Sequence, residues 1–159
     1  MPIFPSGPDP DQSDVREMLM PPILWNELQK NSPRKTLHHN ANVRAFLSRF
    51  VLGGEVDNLY YMKSWRDDVF ELRVQMPKRK EALRIFGGFA RPDTFIALTS
   101  KPRREFGGMN DPNWDKVIEK TMAMWDAFLP GCRRVSSRPF GNCVTANAYD
   151  CFNLGGYRC

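Results

Sequence analysis

Histidine is the first shortage in this chain, with only two among 159 residues. His38 and His39 are adjacent in a polar stretch, NSPRKTLHHN, that reads as a loop. Neighbours in an extended segment face opposite ways, so at most one of them could enter a site; they read as a surface pair. Cysteine is scarce and poorly placed for a metal knot. Cys132, Cys143, Cys151 and Cys159 all fall in the last 28 residues, with no CxxC pair and no nearby histidine. That spacing gives zinc little support, and the four read as reduced thiols in a tail. The carboxylates form no ligand pattern, so neither metal nor cofactor is expected. P-loop, GxGxxG, HExxH and GxSxG signatures are all missing, which removes the commonest nucleotide-dependent, zinc-protease and serine-hydrolase classes. No apolar run approaches the length of a membrane span. The acidic, proline-rich start lacks the charged-then-apolar order of a signal peptide, so a cytoplasmic protein is expected. There are no internal repeats.

What is present suffices for one domain. Hydrophobic residues make up 42% of the chain, with four Trp, four Tyr and eleven Phe, enough for a real core. The net charge is +5 and the isoelectric point about 9.2, which points to an anionic partner. The charge is concentrated. Between Val69 and Glu105 there are nine Lys or Arg against four Asp or Glu, so this stretch alone carries the whole excess. Nucleic acid therefore ranks above a membrane surface or an acidic protein.

The pattern of that stretch is three strands in succession. Val69–Gln75 alternates and ends at a Pro-Lys-Arg-Lys turn; Leu83–Phe89 follows, then a turn around Pro92 and a β-branched, aromatic run at Thr94–Thr99. Gly87-Gly88, mid-strand, marks a bulge or a close backbone approach rather than a phosphate cradle. Before the sheet, Val15–Gln29 reads as a helix interrupted at Pro21-Pro22, although Trp25 also suits a short edge strand. Asn42–Leu52 is amphipathic, with Asn42 as N-cap and Gly53-Gly54 as stop. Glu55–Tyr61 is a short helix or a loop, and Lys63–Asp68 a charged turn. After the sheet, Asp111 caps and Pro112 starts a helix running to about Leu129, its Trp114, Val117, Ile118, Thr121 or Met122, and Trp125 facing the sheet. The expected fold is α+β: N-terminal helices on one face of a small antiparallel meander, then a C-terminal helix and an irregular tail. Residues 1–14 read as a flexible N-terminus, 15–130 as the domain, and 131–159 as the cysteine-bearing tail. An additional N-terminal strand is compatible with the pattern.

Alternation puts Glu71 and Arg73 on one face with Val74 opposite, and Arg84 close by across the hairpin. Lys101, Arg103 and Arg104 follow the third strand at the same edge. Cations converging there would form a phosphate-binding concavity able to stabilise the extra charge when an RNA 2′-hydroxyl attacks its neighbouring phosphate. The same residues also read as a solvated basic face, with Arg73 paired to Glu71 or Glu81, pairs worth little. Proton carriers are thin on the ground: Tyr60, Tyr61, Tyr149, Glu71 and one of the histidines are the candidates.

VFELRV (69–74), LRIFGGF (83–89) and FIALTSKPRR (95–104) together resemble the RelE/ParE superfamily of bacterial toxins, in its HigB-like, phage-associated branch. The matching pattern there runs "lwElRv … yRvfy … ivlLhgF.KK", and the likeness covers roughly residues 43–129. It implies the toxin of a toxin–antitoxin pair: a metal-independent endoribonuclease that cuts mRNA, often on the ribosome, and is neutralised by a cognate antitoxin, here expected to be a helix-turn-helix protein. It implies phosphate or substrate contacts for Arg73 and Arg84, and for Lys101 with Arg103 and Arg104. Arg73, Arg84 and Lys101 are the expected catalytic residues, and the basic turn Lys78, Arg79 and Lys80 joins Arg103 and Arg104 as expected RNA contacts. There are departures. Lys101-Pro102-Arg103-Arg104 replaces the Lys-Lys pair, Leu83 stands where a tyrosine is usual, and the two-tryptophan helix and cysteine tail are atypical. They leave room for a non-catalytic protein of the same fold, either a topoisomerase poison or a phage or mobile-element relic without toxicity. On the sequence alone, Arg84→Ala would abolish cleavage with the fold intact.

Overall fold

A computed structural model describes residues 16–30, 36–76 and 82–149. The expected flexible N-terminus, Lys78, Arg79, Lys80 and Glu81 of the first turn, and Cys151 and Cys159 lie outside the described residues. The chain enters through a short strand, β1 (Glu17–Leu19), followed by helix α1 (Pro22–Lys30) and helix α2 (Thr36–Val51). Then come β2 (Val56–Asp57), β3 (Met62–Ser64), β4 (Phe70–Val74), β5 (Leu83–Arg91) and β6 (Thr94–Pro102). Helix α3 (Pro112–Phe128) and a last strand, β7 (Ala148–Tyr149), complete the order. The fold is α+β.

The three expected strands are the centre of a five-stranded sheet ordered β1-β6-β5-β4-β3. The meander is antiparallel, whereas β1 joins β6 in parallel, so the sheet is mixed rather than purely antiparallel. Between Phe86 and Gly87 the β5–β6 register shifts, and a Cβ built on Gly87 would stand 1.9 Å from the Ile96 carbonyl oxygen. The glycine is there for a close backbone approach, as its mid-strand position suggested.

Helices cover both faces of the sheet, not one. Phe70, Leu72, Val74, Leu83, Ile85 and Phe89 turn to one side and pack with Leu24, Leu28, Val43, Leu47 and Phe50 of α1 and α2. On the other side Phe86 packs with Trp114, Val117 and Ile118 of α3, and Ile96 and Leu98 pack with Trp125. Period-2 alternation supplies the two apolar surfaces, and runs buried on both sides such as Leu83–Phe89 signal such a three-layer arrangement. Helix α3 starts as expected: the Asp111 side chain accepts from the Asn113 N–H at 2.8 Å, and Pro112 occupies the first turn.

Several local expectations change. Pro22 opens α1 instead of breaking a longer helix, because proline is well tolerated in a first turn. Trp25 is therefore helical. Helix α2 begins six residues earlier than its apolar pattern, at Thr36, so Asn42 lies inside it and is not a cap. His38 and His39 are thus helical neighbours, about 100° apart, rather than opposed positions of an extended loop. Lys63 sits on β3 rather than in a turn.

The stretch after Pro130 is irregular in path but tied to the core through residue 149. Phe140, Cys143 and Val144 are buried in the main cluster. The Val135 N–H donates to the Phe89 carbonyl, and the Asp93 N–H to the Cys143 carbonyl, each at 2.8 Å. Buried Arg16 ties the segment before β1 to the end of α2 and to the stretch before β7: it donates to the carbonyls of Phe50 (3.2 Å), Gly54 (2.7 Å) and Ala146. Among the described residues no helix is long and apolar enough to cross a membrane.

Candidate functional site

Cross-strand register brings Arg73, Arg84 and Lys101 directly opposite one another on β4, β5 and β6. They point to the α3 side of the sheet; Arg84 is buried, while Arg73 and Lys101 are half-buried. One row further in, Lys63, Glu71, Phe86 and Thr99 form the adjacent rank. Thr99 Oγ1 bonds Thr121 Oγ1 at 2.7 Å, which fixes α3 over that rank. The three cations assigned to catalysis are therefore brought together.

Glu71 is the pivot of this region and is fully buried. Its Oε2 accepts from the Trp65 indole N–H at 2.9 Å. Its Oε1 lies 2.7 Å from Arg84 Nε and 3.3 Å from Arg73 Nε, both approached off the line of their N–H bonds, so these are charge contacts rather than hydrogen bonds. Arg73 also donates to the Leu59 carbonyl at 2.6 Å, and Arg84 to the Leu83 carbonyl at 3.1 Å. The pairing of Arg73 with Glu71, one of the two readings of this face, is thus what forms. Arg84 consequently has a structural duty, and its removal cannot be assumed to spare the fold.

One carboxylate does not balance Lys63, Arg73 and Arg84 together. Burial pushes the Arg84 guanidinium below its ordinary pKa; Glu71 opposes that, and the positive charges of Arg73 and Arg103 reinforce it. Lys63 is lowered in the same way, by burial first and by Arg73 next. Its Nζ lies 4.1 Å from the centroid of the Trp65 ring. Burial is the larger cause of both shifts, and the neighbouring guanidiniums add to it.

The remaining candidates divide. Arg103 is anchored on the backbone, donating to the carbonyls of Phe106 (2.6 Å) and Gly107 (3.2 Å), with its guanidinium 5.6 Å from the Trp114 ring centroid. Arg104 is exposed. Lys101 bonds Glu105 at 2.9 Å on the surface. Tyr61 is not a proton carrier: its hydroxyl donates to the Phe46 carbonyl at 2.6 Å, and burial raises its pKa. Tyr60 is exposed, and Tyr149 pairs with β2 through its backbone, away from the row. Trp114 and Trp125 are core, as their helical spacing indicated.

Beside Lys101 the end of β6 and α3 form an open cavity of about 410 Å³, lined by Lys101, Glu105, Phe106, Asn113, Lys116, Val117 and Lys120. Lys116 and Lys120 stand one turn apart on α3. Their i, i+4 spacing was visible in the sequence, but nothing there placed that stripe beside the strand end. Among the described residues no cluster of histidine, cysteine and carboxylates is suited to a metal ion. No protein-family model, curated protein or solved structure significantly matches the chain.

Proposed function

We propose that this protein binds RNA across the Arg73–Arg84–Lys101 row and cleaves it, acting as a toxin of the RelE/ParE kind. The row itself carries the reading. Like charges placed directly opposite on neighbouring strands destabilise a sheet, and Glu71, the one buried carboxylate beside Arg73 and Arg84, offsets only part of that cost; a phosphate on the row would offset the rest. A phosphate seated there would receive donors from three strands. In the reaction the 2′-oxygen attacks the adjacent phosphorus, the bond to the 5′-oxygen breaks, and a 2′,3′-cyclic phosphate and a 5′-hydroxyl are left. The cations stabilise the added charge on the phosphorane. One proton leaves the 2′-hydroxyl and one reaches the 5′-oxygen. Lys63, opposite Glu71 in the rank beside the row, is the proton carrier we assign.

A second reading has its own support. Glu71 holds both guanidiniums, and among the described residues the row contains no histidine or tyrosine. Those features suit a non-catalytic binder of the same fold. Purified wild type and a Lys101→Ala/Arg104→Ala variant, which leaves the Glu71 contacts intact, should be incubated with RNA, with the new 5′ ends mapped. Fresh 5′-hydroxyl ends from the wild type, reduced at least tenfold in the variant, are expected. Binding without new ends would favour the non-catalytic reading, and absence of both would overturn the RNA assignment.

A further inference from the structure

The cavity between the end of β6 and α3 has a build that the row does not explain. Its floor is apolar, made by the ring of Phe106 and the side chain of Val117, both buried. Phe106 is held rigid by stacking on Trp114, with ring centroids 3.9 Å apart and 13° between planes. Its rim is cationic: Lys101 from the sheet, Lys116 and Lys120 from α3, against the single carboxylate of Glu105. Asn113 completes the lining. Its amide nitrogen gives one hydrogen to the Glu105 carbonyl at 3.1 Å, and a carboxamide carries a second N–H and an acceptor oxygen besides.

An apolar floor with an aromatic ring suits the flat body of a base, a carboxamide suits its polar edge, and lysines suit phosphate as point charges. The volume lies in the range of small-molecule sites. Lys101 belongs to both places, being the last cation of the row and one wall of the cavity. We propose that the cavity is a nucleotide subsite, which takes one base and its phosphate from an RNA strand whose neighbouring phosphate lies on the row. This rests on the RNA reading above and adds to it a second contact region, on α3. It also gives Glu105 a role: its carboxylate holds Lys101 until a phosphate replaces it.

The test uses the full chain, titrated with adenosine 5′-monophosphate and separately with inorganic phosphate, while backbone amide NMR shifts are followed. The nucleotide is expected to move the amides of Lys101, Phe106 and residues 113–120, and inorganic phosphate to move fewer of them. Lys116→Ala/Lys120→Ala, both exposed on the helix, should weaken nucleotide binding about tenfold, and Glu105→Gln should strengthen it. Equal responses to nucleotide and inorganic phosphate would reduce the cavity to an anion site and overturn the base subsite. Nucleotide shifts elsewhere, or unchanged binding in the lysine variant, would overturn the assignment altogether. RNA binding by the same lysine variant separates the two claims. If RNA still binds through the row while the nucleotide ignores the cavity, this inference fails and the RNA reading stands.

Discussion

Glu71 shows how much one residue decides here. The sequence presents it in a strand beside Arg73, where it reads as half of an ion pair, or as a base if no such pair consumes it. Burial settles which: a carboxylate without solvent must keep its counter-charges, so Arg73, Arg84 and the Trp65 indole are held around it. The contact from Trp65 was not legible, because Lys63–Asp68 read as a charged turn and Lys63 instead occupies an edge strand. The consequence is a measurable asymmetry. Arg84→Ala should cost on the order of 3 kcal/mol in urea unfolding, because it strips a partner from a buried charge. Glu71→Gln/Arg84→Gln removes both charges and should recover more than half of that loss. A single alanine variant as stable as the wild type would mean that Glu71 is not dependent on Arg84.

At the level of elements, the strongest patterns are legible in the sequence, and of the short strands only an additional N-terminal one, β1, is allowed for by it. The hairpin strands β4 to β6 and helix α3 are long, periodic and flanked by proline or glycine, so local chemistry defines them. The short strands β1 and β3 owe their existence to sheet edges supplied from far along the chain, and no local period announces a three-residue strand. Gly87 is the clearest local signal. Its absent side chain lets β5 approach the Ile96 carbonyl at the register shift, where a Cβ would overlap backbone that has nowhere to move. Gly87→Ala should destabilise the protein by on the order of 3 kcal/mol or more, with the bulge lost from amide exchange patterns. Gly108→Ala, where a Cβ meets nothing within 4 Å, should stay within about 0.5 kcal/mol of the wild type. If the two behaved alike, the close approach at Gly87 would not be a constraint on the sheet.

For the whole molecule, three of the nine cations clustered between Val69 and Glu105 come together on one side of the sheet, because Arg73, Arg84 and Lys101 fall in register. What the sequence hid is that α3 adds Lys116 and Lys120 beside Lys101, and that residues 131–149 belong to the same body. That segment has no apolar period, so its contribution comes from isolated residues such as Phe140, Cys143 and Val144, each filling a place prepared by α2 and the sheet. Cys143 reports on this docking. Burial, reinforced by the negative charge of Asp68, pushes its thiol up to about 12, whereas Cys132 is exposed. The sign follows from the raised value. The unfolded thiol ionises from its ordinary pKa near 9 while the folded one keeps its proton, so stability is full below about pH 9 and declines as pH rises toward 12. In the folded protein at pH 8, alkylation followed by peptide mass mapping should label Cys132 readily and Cys143 at least tenfold more slowly. Deleting residues 131–159 should lower the unfolding midpoint by several degrees or abolish cooperative melting, since it empties part of the main core and takes a carbonyl partner from Arg16. Rapid labelling of Cys143 in the intact chain, together with an unchanged melting curve after deletion, would show that the domain ends at α3 and that the segment beyond it is only an appendage.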